Sequence, residues 1–181
     1  MRVISGTARG RKLKELSGTA IMPTSDMVKE SVFNIIQFDI EGRRVLDLFA
    51  GTGQMGVEAL SRGAGSVVFV DSSPEAGRII IENIKSCGFS EAAKVYVRDA
   101  LKYLESEETF DIIFIDPPYD TMLVGKALER IIEFDKLTVN GIIMCELRAD
   151  SEAPVVSPPY VKHREYRYGG VKLIKICKEL L

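Results

Sequence analysis

The sequence predicts an α/β domain in which a mostly parallel sheet is covered by helices on both faces. From residue 43 onward, short apolar runs alternate with segments of helical periodicity. This alternation is typical of parallel strands joined by crossover helices. The chain has 181 residues, of which 46% are hydrophobic and 28% are charged. One domain of this size and composition can bury a full core.

The first strand of this pattern leads into a glycine-rich turn and then a helix at residues 54–61. Gly51 and Gly53 allow positive φ values and the close approach of a ligand. The spacing resembles a dinucleotide-binding loop, but Asp47 before it would repel a pyrophosphate. This acid favours a ligand with an ammonium group, such as the methionine portion of S-adenosylmethionine. The candidate cofactor-binding residues here are Asp47, Phe49, Ala50, Gly51, Thr52 and Gly53.

The next two strands also end in acidic residues. Asp71, followed by Ser72, lies about twenty residues beyond the glycine loop, where an acid can bind both hydroxyls of a ribose. Helix 74–87 follows. A strand around residues 94–98 then leads to Asp99 and Ala100, a pair suited to an adenine amino group and ring. Asp99 could equally cap the helix expected at residues 100–105.

Asp116-Pro117-Pro118-Tyr119 follows the apolar run 112–115, where a buried strand emerges. The two prolines stiffen the backbone and hold the flanking side chains in fixed directions. A carboxylate can accept hydrogen bonds from an exocyclic amino group while a phenol ring stacks on the base. Asp116, Pro117 and Tyr119 are therefore the catalytic candidates. The alternative is a rigid turn with a capping aspartate.

The last third of the chain predicts one more helix and an antiparallel edge. A helix at residues 121–134 precedes a strand at 141–147, and a proline-rich loop occupies residues 154–159. Two further runs meet at Gly169 and Gly170, which indicates a hairpin. The hairpin requires at least one antiparallel edge strand.

Positive charge is concentrated at the two ends of the chain, although the formal net charge is -2. The stretch 160–178 carries six Lys or Arg residues against one Glu. Residues 1–14 contain no acid and carry the candidate RNA-binding residues Arg2, Arg9, Arg11, Lys12 and Lys14. Such basic segments can neutralise RNA phosphates, with Gly6 and Gly10 keeping the arm adaptable until it docks. The alternative, an ordinary solvated surface, suits the sequence pI of about 5.6.

Several common kinds of site are not expected. Cys87, Cys145 and Cys177 are odd in number and widely separated, which favours buried thiols over disulfides or a metal site. His163 lies in a basic stretch and is expected at the solvated surface. The chain has no apolar span long enough for a membrane and no signal-peptide core, so we expect a cytoplasmic protein.

Taken together, these motifs resemble the RsmD-type family of bacterial 16S ribosomal RNA guanine-N2 methyltransferases. The resemblance covers nearly the whole chain. It lies in residues 1–6, 9–13, 23–26, 28–34, 47–53 and 116–119. It implies a class I S-adenosylmethionine-dependent methyltransferase fold, Rossmann-like and seven-stranded, for residues 26–181, preceded by a basic arm at residues 1–25. The implied product is N2-methylguanine in 16S rRNA. Because a short basic arm gives little sequence readout, we expect the substrate to be a small-subunit assembly intermediate. We also expect a monomer without a metal.

The expected reaction is direct methyl transfer to the guanine amino nitrogen. Asp116 accepts an N–H bond and so favours a pyramidal amine, with the Pro117 carbonyl as a second acceptor. Tyr119 stacks on the base and Pro118 contacts the RNA. Thr24 and Ser25 either close over the cofactor or cap the helix containing residues 28–36.

Four other functions stay open on sequence grounds. Enzymes of the same fold methylate DNA adenine or a protein glutamine, although an aspartate at position 116 disfavours glutamine as the target. A nicotinamide oxidoreductase fits Asp47 and the paired prolines poorly. A non-enzymatic RNA-binding assembly factor would not need the intact Asp116 and Tyr119.

Overall fold

In a computed structural model, the chain forms one seven-stranded mixed sheet with helices on both faces. The structure describes residues 1–16, 25–118 and 121–180. The strands are β1 (Arg44–Leu48), β2 (Ser66–Asp71), β3 (Ala93–Val97), β4 (Phe110–Ile115), β5 (Leu137–Arg148), β6 (Tyr160–Tyr168) and β7 (Val171–Lys178). Their order in the sheet is β3-β2-β1-β4-β5-β7-β6. The first five strands pair in parallel, and β7 is antiparallel to both of its neighbours. The predicted fold class and hairpin are confirmed.

The helices lie close to their predicted positions. They are α1 (Asp26–Ile35), α2 (Gln54–Ser61), α3 (Pro74–Cys87), α4 (Ala100–Tyr103) and α5 (Thr121–Glu133), with a 3-10 turn at Ser90–Ala92. Helix α4 is two residues shorter than predicted. The backbone N–H groups of Glu105 and Ser106 bond three residues back, to Lys102 and Tyr103, so the chain tightens into a turn there.

Strand β5 begins at Leu137, four residues before the predicted start at residue 141. The Asn140-Gly141 pair is typical of a turn. In the structure, Asn140 takes a left-handed φ of 61°, and the register between β4 and β5 shifts between the pairs made by Phe110 and Ile112. The Asn140-Gly141 pair therefore forms an irregularity within a continuous strand and does not form a turn.

The sheet separates two apolar layers. On one face, the side chains of alternate strand residues such as Val45 and Ile112 pack with α1, α2 and α3. On the other face, Leu46 and Ile113 pack with α4 and α5. This alternation follows the two-residue period of a β-strand. None of the helices in the described part of the chain has the length and apolar character that crossing a bilayer requires.

Residues 1–16 lie against the sheet domain, on the side of α2. Val3, Ala8 and Leu13 are buried in the layer that contains α1 and α2. The fully buried Glu58 of α2 accepts the backbone N–H of Ile4 at 2.7 Å and of Ser5 at 3.0 Å. Hydrogen bonds from its backbone therefore attach this segment to the domain, as they do for an integral part of the fold.

Candidate active site

Four acidic residues lie at the carboxyl ends of the parallel strands β1, β2, β4 and β5. In the register of the sheet, Leu48 of β1 pairs with Val70 of β2 and with Ile115 of β4. Ile115 in turn pairs with Cys145 of β5. The acids at this edge are Asp47, Asp71, Asp116 and Glu146. Ligands of open α/β sheets bind at the carboxyl ends of the strands, so this edge is the candidate active site.

The glycine-rich loop is held by two of these carboxylates. Gly51 donates its N–H to Asp71 Oδ2 at 2.8 Å, and Gly56 donates to Asp47 Oδ2 at 2.8 Å. Gly51 has a φ of +56°, and a Cβ added there would meet nothing within 4 Å. The loop therefore leaves open space beside its backbone. Gly53, with a φ of 75°, is the N-cap of α2 and has no side-chain cap.

Phe49 also takes a left-handed conformation, with a φ of 64°. A bulky residue rarely adopts positive φ, and such backbone strain is concentrated at ligand sites. Ala50, the next residue, is buried and donates its N–H to the Val70 carbonyl at 2.9 Å. The loop conformation is thus anchored to the adjacent strand β2.

Asn83 of α3 ties the glycine loop to the N-terminal segment. Its side-chain amide donates to the Thr52 carbonyl at 2.9 Å and to the Lys14 carbonyl at 3.2 Å. Its Oδ1 accepts the Lys14 N–H at 2.7 Å. Asn83 is only 1% exposed. A polar residue on the buried face of a helix was the only sequence signal for this link.

The carboxyl groups of this edge perturb one another. Burial, opposed by the Gly56 N–H bond and assisted by the charges of Asp116 and Asp71, raises the pKa of Asp47 to about 8. Burial and the charge of Asp116 raise the pKa of Glu146 to about 8. A cation placed here would favour the ionised carboxylates. Within the described ranges, no cluster of acidic, His or Cys side chains could hold a metal ion.

Asp116 lies at the end of β4, beside a buried Pro117 and an exposed Pro118. With Glu146, it lines a small pocket whose other walls include the apolar side chains of Phe114 and Met144. Tyr119, the fourth residue of the motif, lies outside the described residues. The Asp-Pro-Pro part of the predicted site therefore lies at the same sheet edge as the glycine loop.

Several predicted cofactor residues have structural partners of their own. Asp71 Oδ1 also accepts the Ser73 N–H at 2.8 Å, while Ser72 is exposed. Asp99 is the N-cap of α4 and accepts the Lys102 N–H at 2.9 Å, and Ala100 behind it is buried.

At the N-terminal side, Ser25 is the N-cap of α1, and its hydroxyl accepts the Val28 N–H at 3.3 Å. The capping alternative considered for Asp99 and Ser25 is thus observed. Thr24 lies outside the described residues.

The candidate RNA-binding side chains are all exposed. Arg2 pairs with Asp26 at 3.2 Å, and Lys14 pairs with Glu82. In the described portion of the chain, no carboxylate lies within ion-pair distance of the remaining three side chains. These are Arg9, Arg11 and Lys12.

Sequence reasoning did not identify Glu146 as a site residue. It was placed inside the strand predicted at residues 141–147. The available signal was its position directly after the apolar run 141–145, which matches the position of Asp116 after the run 112–115.

Comparison with known proteins gives consistent matches over the whole chain. The family model described as conserved hypothetical protein 95 matches residues 1–176. YlbH of Bacillus subtilis, provisionally named an rRNA methyltransferase, is 41% identical, and the match covers 97% of this chain and 98% of YlbH. Ribosomal RNA small subunit methyltransferase D of Haemophilus influenzae is 35% identical over 87% of this chain and 83% of its own.

A solved structure agrees with these sequence matches. The yhhF protein of Escherichia coli, provisionally named a methyltransferase, superimposes with a TM-score of 0.89 at 27% identity, covering 100% of this chain and 99% of its own. The chain therefore belongs to the conserved hypothetical protein 95 family, the RsmD-type methyltransferase family that its motifs resemble.

Proposed function

We propose that this chain uses S-adenosylmethionine to methylate the exocyclic N2 amino group of a guanine in 16S rRNA, at the guanine-966-type position, during small-subunit assembly. The names of the relatives from Bacillus and Haemophilus support rRNA as the substrate class. The observation that carries the proposal is the placement of Asp116 at the end of β4, on the sheet edge that also carries the glycine loop.

The residues at this edge fit S-adenosylmethionine. When bound, the cofactor would supply an electrophilic methyl group on a sulfonium centre and would leave as S-adenosyl-L-homocysteine. The ligand carries two positive charges, on the sulfonium and the ammonium, and the carboxylates of Asp47 and Asp71 stabilise positive charge nearby. The open space beside Gly51 leaves room for a ligand against the loop backbone. Asp71 has further acceptor capacity for the ribose hydroxyls, while Ser72, Asp99 and Ala100 flank the adenine.

Asp116 activates the target amine in this mechanism. Its carboxylate accepts one N–H of the amino group, with the Pro117 carbonyl as a second acceptor. These bonds favour a pyramidal nitrogen with an available lone pair, which is the geometry of the transition state. After transfer, the methylated amine gives its proton to Asp116 or to water. Tyr119 stacks on the base, and Thr24 closes over the cofactor beside Ser25, whose hydroxyl caps α1.

The basic residues of the N-terminal segment contact the RNA in this proposal. Arg9, Arg11 and Lys12 are exposed and lie on a segment whose backbone is fixed to α2. Arg2, Lys14 and Pro118 complete the contact surface. Residues 1–25 then form the RNA-binding segment and residues 26–181 the catalytic domain of a cytoplasmic, monomeric enzyme. Phosphate contacts position an RNA, and its folded shape supplies most of the remaining recognition.

Binding and transfer should be measured separately to test this function. We expect S-adenosylmethionine to bind and NADH not to bind in parallel titrations. Asp116→Ala should retain RNA and cofactor binding but lose methyl transfer, whereas Glu91→Ala, which removes an exposed acid, should behave as wild type. Binding of NADH alone, or full transfer by Asp116→Ala, would overturn the proposal.

A further inference from the structure

A small cavity beside Asp116 is bordered mainly by apolar side chains. Its apolar walls come from α1, α2 and strands β4, β5 and β7. They include Val32, Met55, Phe114, Met144 and Leu173. Asp116 and Glu146 also border it. The two acids therefore lie next to each other at the border of an apolar layer.

We propose that Glu146 recognises the target base by accepting the N1–H of guanine, while Asp116 accepts an N–H of the adjacent N2 amino group. This inference rests on the proposed function. It adds a base-recognition residue to the site and gives a physical reason for the choice of guanine over the other bases that carry an exocyclic amine.

The sheet register places the two carboxyl groups side by side. Ile115 and Cys145 are paired on adjacent parallel strands, and Asp116 and Glu146 are the next residues of each. Adjacent strands lie about 4.8 Å apart. Side chains two residues apart lie on the same face of a strand. Asp116 therefore lies on the same face as Phe114, and Glu146 lies on the same face as Met144, both of which line the pocket.

The environment of Glu146 indicates a role in binding rather than in folding. In the part of the chain that the structure describes, no donor hydrogen-bonds to its carboxyl group. Burial and the neighbouring charge of Asp116 oppose its ionisation and raise its pKa to about 8. A carboxyl group in such surroundings gains most from a ligand that brings its own donor. Guanine N1–H is a donor of this kind.

The pattern of donors distinguishes guanine from the other amino-bearing bases. Guanine presents N1–H directly beside its N2 amino group. Adenine presents the acceptor N1 beside its N6 amino group, and cytosine presents the acceptor N3 beside N4. A bound cationic cofactor favours the ionised form of Glu146, which would face a lone pair in both of these cases. A missing hydrogen bond in a buried polar site discriminates strongly because the unpaired group is left desolvated.

The test uses small subunits reconstituted from ligated 16S rRNA that carries either guanine or 2-aminopurine at the methylated position. 2-Aminopurine keeps the N2 amino group but has an acceptor at N1. The full-length wild-type protein should prefer guanine. Glu146→Gln keeps an acceptor oxygen but loses its charge, so it should lower kcat/KM for guanine by about 10-fold, the difference between a charged and a neutral acceptor. Its amide can donate to N1 of 2-aminopurine, so the guanine preference should fall as well.

Controls separate the possible failures. The cofactor affinity of Glu146→Gln should match the wild type, and its melting temperature should be no lower, because the substitution removes an unfavourably buried acid. Glu152→Gln, which changes a nearby exposed acid, should leave both substrates unaffected. If wild type transfers no methyl group to guanine subunits, the proposed function fails. If wild type is active but Glu146→Gln keeps both the rate and the preference, only the role of Glu146 is refuted.

Discussion

Replacing Gly6 with alanine tests how the N-terminal segment is joined to the domain. Gly6 has a φ of +82°, and an added Cβ would lie 1.7 Å from the Ser61 carbonyl oxygen. Gly10 is a matched control, because its φ is +83° and an added Cβ would meet nothing within 4 Å. The two substitutions therefore share the backbone strain and differ only in the clash.

The expected destabilisation follows from the contacts around Ser61. Placing alanine in the left-handed region costs about 1 kcal/mol at either position. At Gly6 the clash also separates the segment from α2. This breaks the bonds from Thr7 N to Ser61 O at 2.8 Å, from Ala8 N to Ser61 Oγ at 3.0 Å and from Ser61 Oγ to Ser5 O at 2.5 Å. At about 1 kcal/mol for each bond, Gly6→Ala should cost about 4 kcal/mol.

Urea denaturation of both variants and the wild type gives these free energies of unfolding directly. Tryptic cleavage after Arg9 and Arg11 gives an independent measure of segment release, and it should be faster in Gly6→Ala than in Gly10→Ala. Equal destabilisation of the two variants, within about 0.5 kcal/mol, would refute the argument from close packing at Ser61.

Three further substitutions test the carboxylate edge, a helix cap and the basic segment. Burial raises the pKa of Asp47 in the folded protein from its ordinary value of 3.8 to about 8. As the pH rises between those values, wild-type stability relative to Asp47→Asn should therefore fall by about 1.4 kcal/mol per pH unit. Equal slopes in urea denaturation at several pH values would contradict this. Ser25→Ala removes the N-cap of α1 and should cost about 1 kcal/mol, measured by the same denaturation, whereas no change would mean that the cap is dispensable. Arg11→Gln should reduce the slope of log K for RNA binding against log salt concentration by about 0.7 to 0.9, measured by filter binding at several salt concentrations. Lys14→Gln should change this slope less, because Lys14 is paired with an acid. The opposite ranking would contradict the proposed contact surface.

The fold and the outline of the site are encoded in local sequence signals. The apolar runs, the glycines of the turn and the Asp116-Pro117-Pro118 sequence each act within a few residues. The strand order then brings the ends of these runs to one edge of the sheet, where the residues that follow them lie close together. This is why Asp47, Asp71 and Asp116 were found from the sequence.

Other features depend on contacts between residues that are distant in sequence, and no local signal identifies the two partners. The backbone of Ile4 bonds Glu58, which is 54 residues away in sequence. The Lys14 backbone bonds Asn83 across 69 residues. We predicted an adaptable arm because glycine is flexible. In the structure, Gly6 is instead needed because the backbone there lies too close to Ser61 for a side chain.

Methyl transfer from radiolabelled S-adenosylmethionine to small ribosomal subunits that lack their methylations, followed by nucleoside analysis of the RNA, tests the central claim most directly. We expect N2-methylguanosine at one position of 16S rRNA. Tight cofactor binding without transfer to RNA, or a methylated adenosine as the product, would contradict the proposed function.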